Sequence, residues 1–224
     1  MSDMAPAILT ISGLGKRFGG FVALDSINLA VAPGERLGLI GPNGSGKSTL
    51  VNCLCGTLQN ETGSVTFDGR PLDGLIAHER TRLGLARSFQ LPKPFHTLDL
   101  VDNLRVPLIY TVNARHGHRR HHRSAAQVEM RKLELARAVA TEPRLLFADE
   151  AMAGLSHAEI EDILAVLFRL NEQGITIVLI EHIMSAVMSF SNRLAVLVAG
   201  QKIADGPPQE VVRNPEVERA YLGE

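Results

Sequence analysis

Nine consecutive residues carry the clearest chemistry in the chain: Gly41, Pro42, Asn43, Gly44, Ser45, Gly46, Lys47, Ser48 and Thr49. They satisfy the pattern G-x-x-x-x-G-K-[ST] at every fixed position. Glycines let backbone N–H groups turn inward and approach an anion closely. A helix start adds free N–H donors and a positive dipole end. Lys47 supplies a charge for β- and γ-phosphates, and the Ser48 hydroxyl suits Mg²⁺. The flanks agree. Residues 35–40 read as a short apolar strand, and 49–51 open a helical pattern.

A second signal lies at residues 145–150. The apolar run Leu145-Leu146-Phe147-Ala148 delivers Asp149 and Glu150 to the C-terminal edge of a strand. Open α/β sheets place their ligands at that edge. Asp149 is expected to hold Mg²⁺, directly or through water. Glu150 is expected to orient and polarise an attacking water.

The remaining elements must bring these two signals together. Residues 8–13 and 27–31 alternate as antiparallel β around a turn at Phe18-Gly19-Gly20. Residues 64–69 form another short strand ending in a turn. Residues 145–148 and 175–180 are continuous apolar runs, as parallel strands buried on both faces require. Between them, residues 158–170 repeat apolar side chains with helical period. Residues 195–198 and 201–204 flank Ala199-Gly200 as a late hairpin. Strand–helix–strand alternation argues for an α/β fold.

Composition bounds the reading. The 224 residues suffice for one sizeable core. A formal net charge of −1 offers nothing to nucleic acid. No run of about 18 apolar residues spans a membrane. The first residues lack a basic stretch followed by an apolar one, so secretion is not expected. Cys53 and Cys55 are the only cysteines, and both are expected as buried free thiols.

Along nearly its whole length the chain resembles the nucleotide-binding subunit of ATP-binding cassette (ABC) transporters, in the type that powers branched-chain amino acid importers. Residues 16–20, 128–137 and 219–224 carry the subgroup resemblance. The resemblance implies that Phe18 stacks on adenine, which suits a flat ring. It implies that Gln90 touches Mg²⁺ and the attacking water, and that Ala153-Gly154-Leu155-Ser156 contacts a second protomer. It implies that His182 hydrogen-bonds the γ-phosphate.

The chain departs from that family in three places. The family signature L-S-G-G-Q aligns with Ala125-Ala126-Gln127-Val128-Glu129, where Ala126 has no hydroxyl and Val128 crowds a close backbone approach. Gln90 and Gln127 are only 37 positions apart, which leaves little room for a multi-helix subdomain. That interval holds the run Arg115 to Arg123, with four histidines among its arginines, expected as a solvated basic loop. Ala151 stands where the family usually has proline.

The resulting expectation is one ABC nucleotide-binding domain over 1–224: a P-loop NTPase with a RecA-like core, an antiparallel β subdomain and a shortened helical subdomain. Residues 1–88 hold the β subdomain and the first part of the core. Residues 89–140 hold the Q-loop and helical subdomain, and 141–224 the rest of the core. ATP and Mg²⁺ are the expected cofactors. Phe18 and the loop Gly41 to Thr49 bind nucleotide, and Ser48, Gln90 and Asp149 serve the metal. Glu150, His182 and Gln90 serve hydrolysis. The expected partners are a membrane permease and a second nucleotide-binding subunit, a heterodimer being favoured because of the weak signature. The chain is expected as a peripheral protein on the cytoplasmic face of the plasma membrane. A regulatory, non-hydrolysing subunit and a soluble ABC-type ATPase are the alternatives.

Overall fold

The computed structural model describes residues 6–88, 107 and 135–222. Two sheets organise them. The first is antiparallel, with strand order β2-β1-β4-β5. Its strands are β1 (Leu9–Phe18), β2 (Phe21–Val31), β4 (Thr62–Phe67) and β5 (Arg70–Pro71). Strands β1 and β2 close through Gly19 and Gly20, with Phe18 facing Phe21 in register. Gly19 has a φ of +59°, which a two-residue hairpin turn demands. The predicted turn at 18–20 is therefore present.

The second sheet has six strands in the order β10-β9-β3-β8-β7-β6. Strands β3 (Arg36–Ile40), β8 (Thr176–Ile180), β7 (Leu145–Asp149), β6 (Leu85–Ser88) and β9 (Arg193–Val198) run parallel. The hairpin strand β10 (Gln201–Gly206) joins antiparallel at the β9 edge. Every residue of β7 and β8 is buried. Covering both faces of a parallel sheet explains why these strands read as unbroken apolar runs.

Side chains alternate between two cores, as the period of two in a strand requires. Leu145, Phe147, Val178 and Ile180 face the antiparallel sheet and helix α1 (Lys47–Leu54). Leu146, Ala148, Ile177 and Leu179 face helices α3 (His157–Glu172) and α4 (Met184–Phe190). Of the stripe expected from the sequence, helix α3 buries Ile160, Ile163, Leu167 and Leu170 in that core, while Leu164 packs against it partly buried. Its entry is fixed by Glu159, whose carboxylate accepts from the Ser156 backbone N–H at 2.7 Å. Short helices α2 (Ala77–Arg82), α5 (Pro208–Val211) and α6 (Pro215–Leu222) pack around the sheets, and helical residues 135–139 add Leu135 and Ala138 to the second core. No helix among the described residues is long and apolar enough to cross a membrane.

Buried Arg80 on α2 ties the far end of α1. Its guanidinium donates to the Cys53, Leu54, Leu72 and Leu75 carbonyls at 2.7–3.0 Å. A cation at a helix C-terminus satisfies orphan carbonyls and opposes the negative dipole end. Cys53 and Cys55 are buried and free, as expected. Burial pushes their thiols up to about 11 and about 12 respectively.

Candidate nucleotide site

The phosphate-loop residues connect β3 to α1 and sit at the C-terminal edge of the parallel sheet. Gly41 is packed so closely that a Cβ there would lie 2.1 Å from the Leu197 carbonyl oxygen. A Cβ on Gly46, whose φ is +104°, would lie 2.8 Å from the Ala23 carbonyl oxygen. Both glycines are steric requirements as well as conformational ones. The turn after β9 braces the loop from behind: Gly200 N–H donates to the Ser45 carbonyl at 3.0 Å. Asp25 N–H in turn donates to the Gly200 carbonyl at 2.8 Å, so the two sheets meet at the loop.

Lys47 folds back across the loop. Its ammonium donates to the Gly41 carbonyl at 2.7 Å, the Pro42 carbonyl at 3.0 Å and the Ser45 hydroxyl at 3.4 Å. Burial lowers its pKa, while the Glu150 and Asp149 carboxylates pull it back up. The ammonium therefore lies within electrostatic reach of both acidic residues.

Phe18, Phe21, Ala23, the loop from Asn43 to Thr49, and Glu150 line one cleft of about 270 Å³. Residues distant in the chain thus converge as the sequence required. Phe18 and Phe21 are exposed at the cleft rim. The Lys16 ammonium lies 5.5 Å from the Phe18 ring centroid, and is itself held 3.1 Å from Glu61. One flat face of Phe18 is backed by a cation.

Asp149 ends β7 and is buried. Arg87 on β6 donates to its Oδ2 from Nε at 3.1 Å and from Nη2 at 2.5 Å. The same guanidinium reaches the Asn52 side-chain oxygen on α1 at 2.6 Å. Both donors fall on Oδ2, so that pair does not use Oδ1. Hard oxygen donors of this kind, a carboxylate oxygen and the exposed Ser48 hydroxyl, fit Mg²⁺. Among the described residues no three His, Cys, Asp or Glu side chains converge on a metal position. One carboxylate plus substrate phosphates is the usual Mg²⁺ arrangement, so the donor set is consistent with that ion.

Glu150 follows with a φ of +45°, a left-handed conformation uncommon for a residue with a side chain. Its N–H donates to the Ile180 carbonyl at 2.8 Å, which ties it to the end of β8. Backbone strain of this kind concentrates at functional sites. Beyond β8 come Glu181 and His182. Glu181 is buried, and its Oε1 accepts from the Met152 N–H at 2.9 Å. Burial raises its carboxyl pKa, opposed by the Met152 N–H and by His182. His182 is exposed, with Nδ1 3.9 Å from Glu181 Oε2.

Sequence reasoning did not find Arg87, Asn52, Phe21, Glu181 or Tyr221. Tyr221, on the last helix, has its hydroxyl pKa raised by burial and opposed by the Gly41 backbone. It therefore stands beside the phosphate loop. The alternation of β1 and β2 around Gly19-Gly20 was the one signal for Phe21. Gln90, the segment 125–129 and the basic run 115–123 lie outside the described residues.

Comparison with known proteins matches this geometry. A family model described as "ABC transporter" matches residues 24–153, and one described as "Branched-chain amino acid ATP-binding cassette transporter" matches residues 201–224. The high-affinity branched-chain amino acid transport ATP-binding protein BraF of Pseudomonas aeruginosa is 36% identical, with 99% of this chain and all of that protein covered. LivG of Escherichia coli, named in the same way, is 34% identical at the same coverage. Each alignment runs over 254 columns against 224 residues here, so at least 30 columns (254 − 224) hold no residue of this chain. A crystal structure of a nucleotide-free ATP-binding cassette from an ABC transporter superposes with a TM-score of 0.85 at 28% identity, covering 97% of this chain and all of that one. An ABC transporter cassette in its ADP conformation also gives 0.85, at 29% identity, covering 98% of this chain and all of that one. With more than half its length matched by the family model and full-length relatives above one-third identity, the chain belongs to the ABC transporter family as an ATP-binding cassette.

Proposed function

We propose that the chain binds Mg·ATP in the cleft between Phe18 and Glu150 and hydrolyses it to drive uptake of branched-chain or similar small amino acids through a membrane permease. The observation that carries this reading is the convergence of an exposed aromatic ring, the phosphate loop, Lys47 and Glu150 on one cleft. The family assignment and the names of the relatives support the transport role.

In this reading Phe18 stacks on the base and the loop N–H groups from Gly41 to Thr49 hold the phosphates. Lys47 exchanges its carbonyl partners for β- and γ-phosphate oxygens. Ser48, Asp149 and Gln90 hold Mg²⁺, which neutralises charge on the phosphates when bound. Glu150 orients the attacking water, and His182 and Gln90 sense the γ-phosphate. The reading places the chain as a peripheral subunit on the cytoplasmic face of the membrane, beside the permease.

The poor signature at 125–129 favours a heterodimer. Each composite site joins one subunit's phosphate loop to its neighbour's signature, so an intact signature on a different subunit would complete the site built on Lys47.

The test is Glu150→Gln in the assembled transporter. ATP binding is expected to persist while phosphate release and amino acid uptake fall by roughly 100-fold or more. Unchanged phosphate release removes Glu150 from its role. A regulatory, non-hydrolysing subunit is the second reading, and the weak signature favours it. Absence of phosphate release from the wild-type subunit with permease and partner present would establish it instead.

A further inference from the structure

Glu181 is a buried acid that the reaction outlined above leaves unused. It follows the last residue of β8 and immediately precedes His182. Its side chain is fully enclosed. One oxygen, Oε1, accepts the Met152 N–H at 2.9 Å, which fastens it to the segment that follows Glu150. The other, Oε2, is buried and has no hydrogen-bond partner among the described residues. A buried carboxylate oxygen without a donor is costly and calls for an explanation.

A side-chain donor stands close by, beside the His182 backbone N–H that also bears on this carboxyl. His182 Nδ1 lies 3.9 Å from Oε2, about 1 Å beyond hydrogen-bonding distance, while most of the imidazole remains exposed. A modest rotation of an exposed ring closes that gap without moving the β8 backbone. Closing it satisfies Oε2 and fixes the ring by its Nδ1 edge, which turns Nε2 outward. A carboxylate on Nδ1 also stabilises the doubly protonated ring. With a proton taken from solvent, Nδ1–H then donates to Glu181 and Nε2–H donates outward.

We propose that Glu181 is a positioning residue for His182: its unpartnered Oε2 receives the imidazole Nδ1–H in the nucleotide-bound state and aims Nε2–H at the γ-phosphate. The inference rests on the reading that His182 contacts that phosphate. Because Oε1 holds the Met152 amide, one carboxyl group also links the segment carrying Glu150 to the residue sensing the phosphate. Relative movement of the two segments then strains one side chain.

The experiment uses the full-length chain with its histidine imidazoles labelled with ¹⁵N. The His182 signals, one of eight histidines, are identified by their loss in His182→Gln. Spectra are taken with and without Mg·ATP in the Glu150→Gln background. Adding Mg·ATP is expected to bring His182 Nδ1 to a protonated, hydrogen-bonded shift, and Glu181→Gln is expected to abolish that change. In the assembled transporter Glu181→Gln is expected to lower kcat roughly 10-fold or more with ATP affinity within about twofold of wild type, the pattern of a lost histidine-orienting carboxylate. A neutral amide keeps the Met152 acceptor, so its melting temperature should equal or exceed wild type. A His182 Nδ1 without a proton in the Mg·ATP state of the Glu150→Gln protein that retains Glu181 overturns the proposal, whether or not Glu181→Gln folds. So does wild-type kcat in Glu181→Gln. If His182→Gln itself hydrolyses ATP normally, the underlying reading of the site fails, and that outcome is separate from the other two.

Discussion

Arg87 places two N–H donors on a single oxygen of Asp149, and a third donor on Asn52 of the helix that begins with Lys47. The acid at the end of β7, the strand beside it and the phosphate-loop helix are thus joined by one guanidinium. An arginine suits this place because its donors form a rigid fork that lysine lacks. The pair is mostly buried, so removing one partner leaves an uncompensated charge.

Arg87→Met is therefore expected to lower stability by about 3 kcal/mol, measured by chemical denaturation. Mg·ATP should raise the melting temperature more in the variant than in wild type, because a divalent cation then supplies the missing positive charge. An equal increment in both proteins would mean that Asp149 does not meet the metal.

Phe18→Ala should weaken ATP binding about 10-fold, within the range of base–aromatic stacking. Phe18→Trp should restore it. Equilibrium titration with ATP and with inorganic triphosphate separates the causes, since triphosphate binding should be unaffected by either change. The Lys16 ammonium backs one face of the ring, so the base is expected on the other.

The thiols of Cys53 and Cys55 should resist iodoacetamide at pH 7 in the folded protein and react at once when it is unfolded. Their folded pKa values, about 11 and about 12, lie above the ordinary 9.0. Below pH 9 both states keep these protons and stability is unaffected. As pH rises from 9 through 11 to 12 the unfolded chain loses protons that the folded one retains, and stability falls. Cys53→Ala with Cys55→Ala should flatten that fall in denaturation curves recorded across the same window.

Much of this arrangement was legible in the sequence because its signals are local. Gly41 to Thr49 is one contiguous pattern, and the apolar run before Asp149 fixes both a strand and the edge it reaches. Arg87 was not legible, because its partner lies 62 residues away and nothing beside it in the chain marks the pairing. Glu181 was hidden in the same way. Its partner Met152 is 29 residues distant, and an acid after a strand reads as an exposed turn until its burial is seen. The left-handed backbone of Glu150 has no sequence signal, since no glycine or asparagine announces it. Phe18 was found because the family resemblance supplied a role, while Phe21 across the hairpin had none to attract notice.

Lys47 has a consequence for how tightly a ligand can be held. The loop it crosses is stitched by its own ammonium to Gly41, Pro42 and Ser45, and braced from behind by Gly200. Fixing a backbone residue costs roughly 1–2 kcal/mol of conformational entropy. Here contacts made by the chain itself meet part of that cost. In the proposed reading, a polyphosphate therefore spends less of its interaction energy on ordering these nine residues than it would on an unbraced loop.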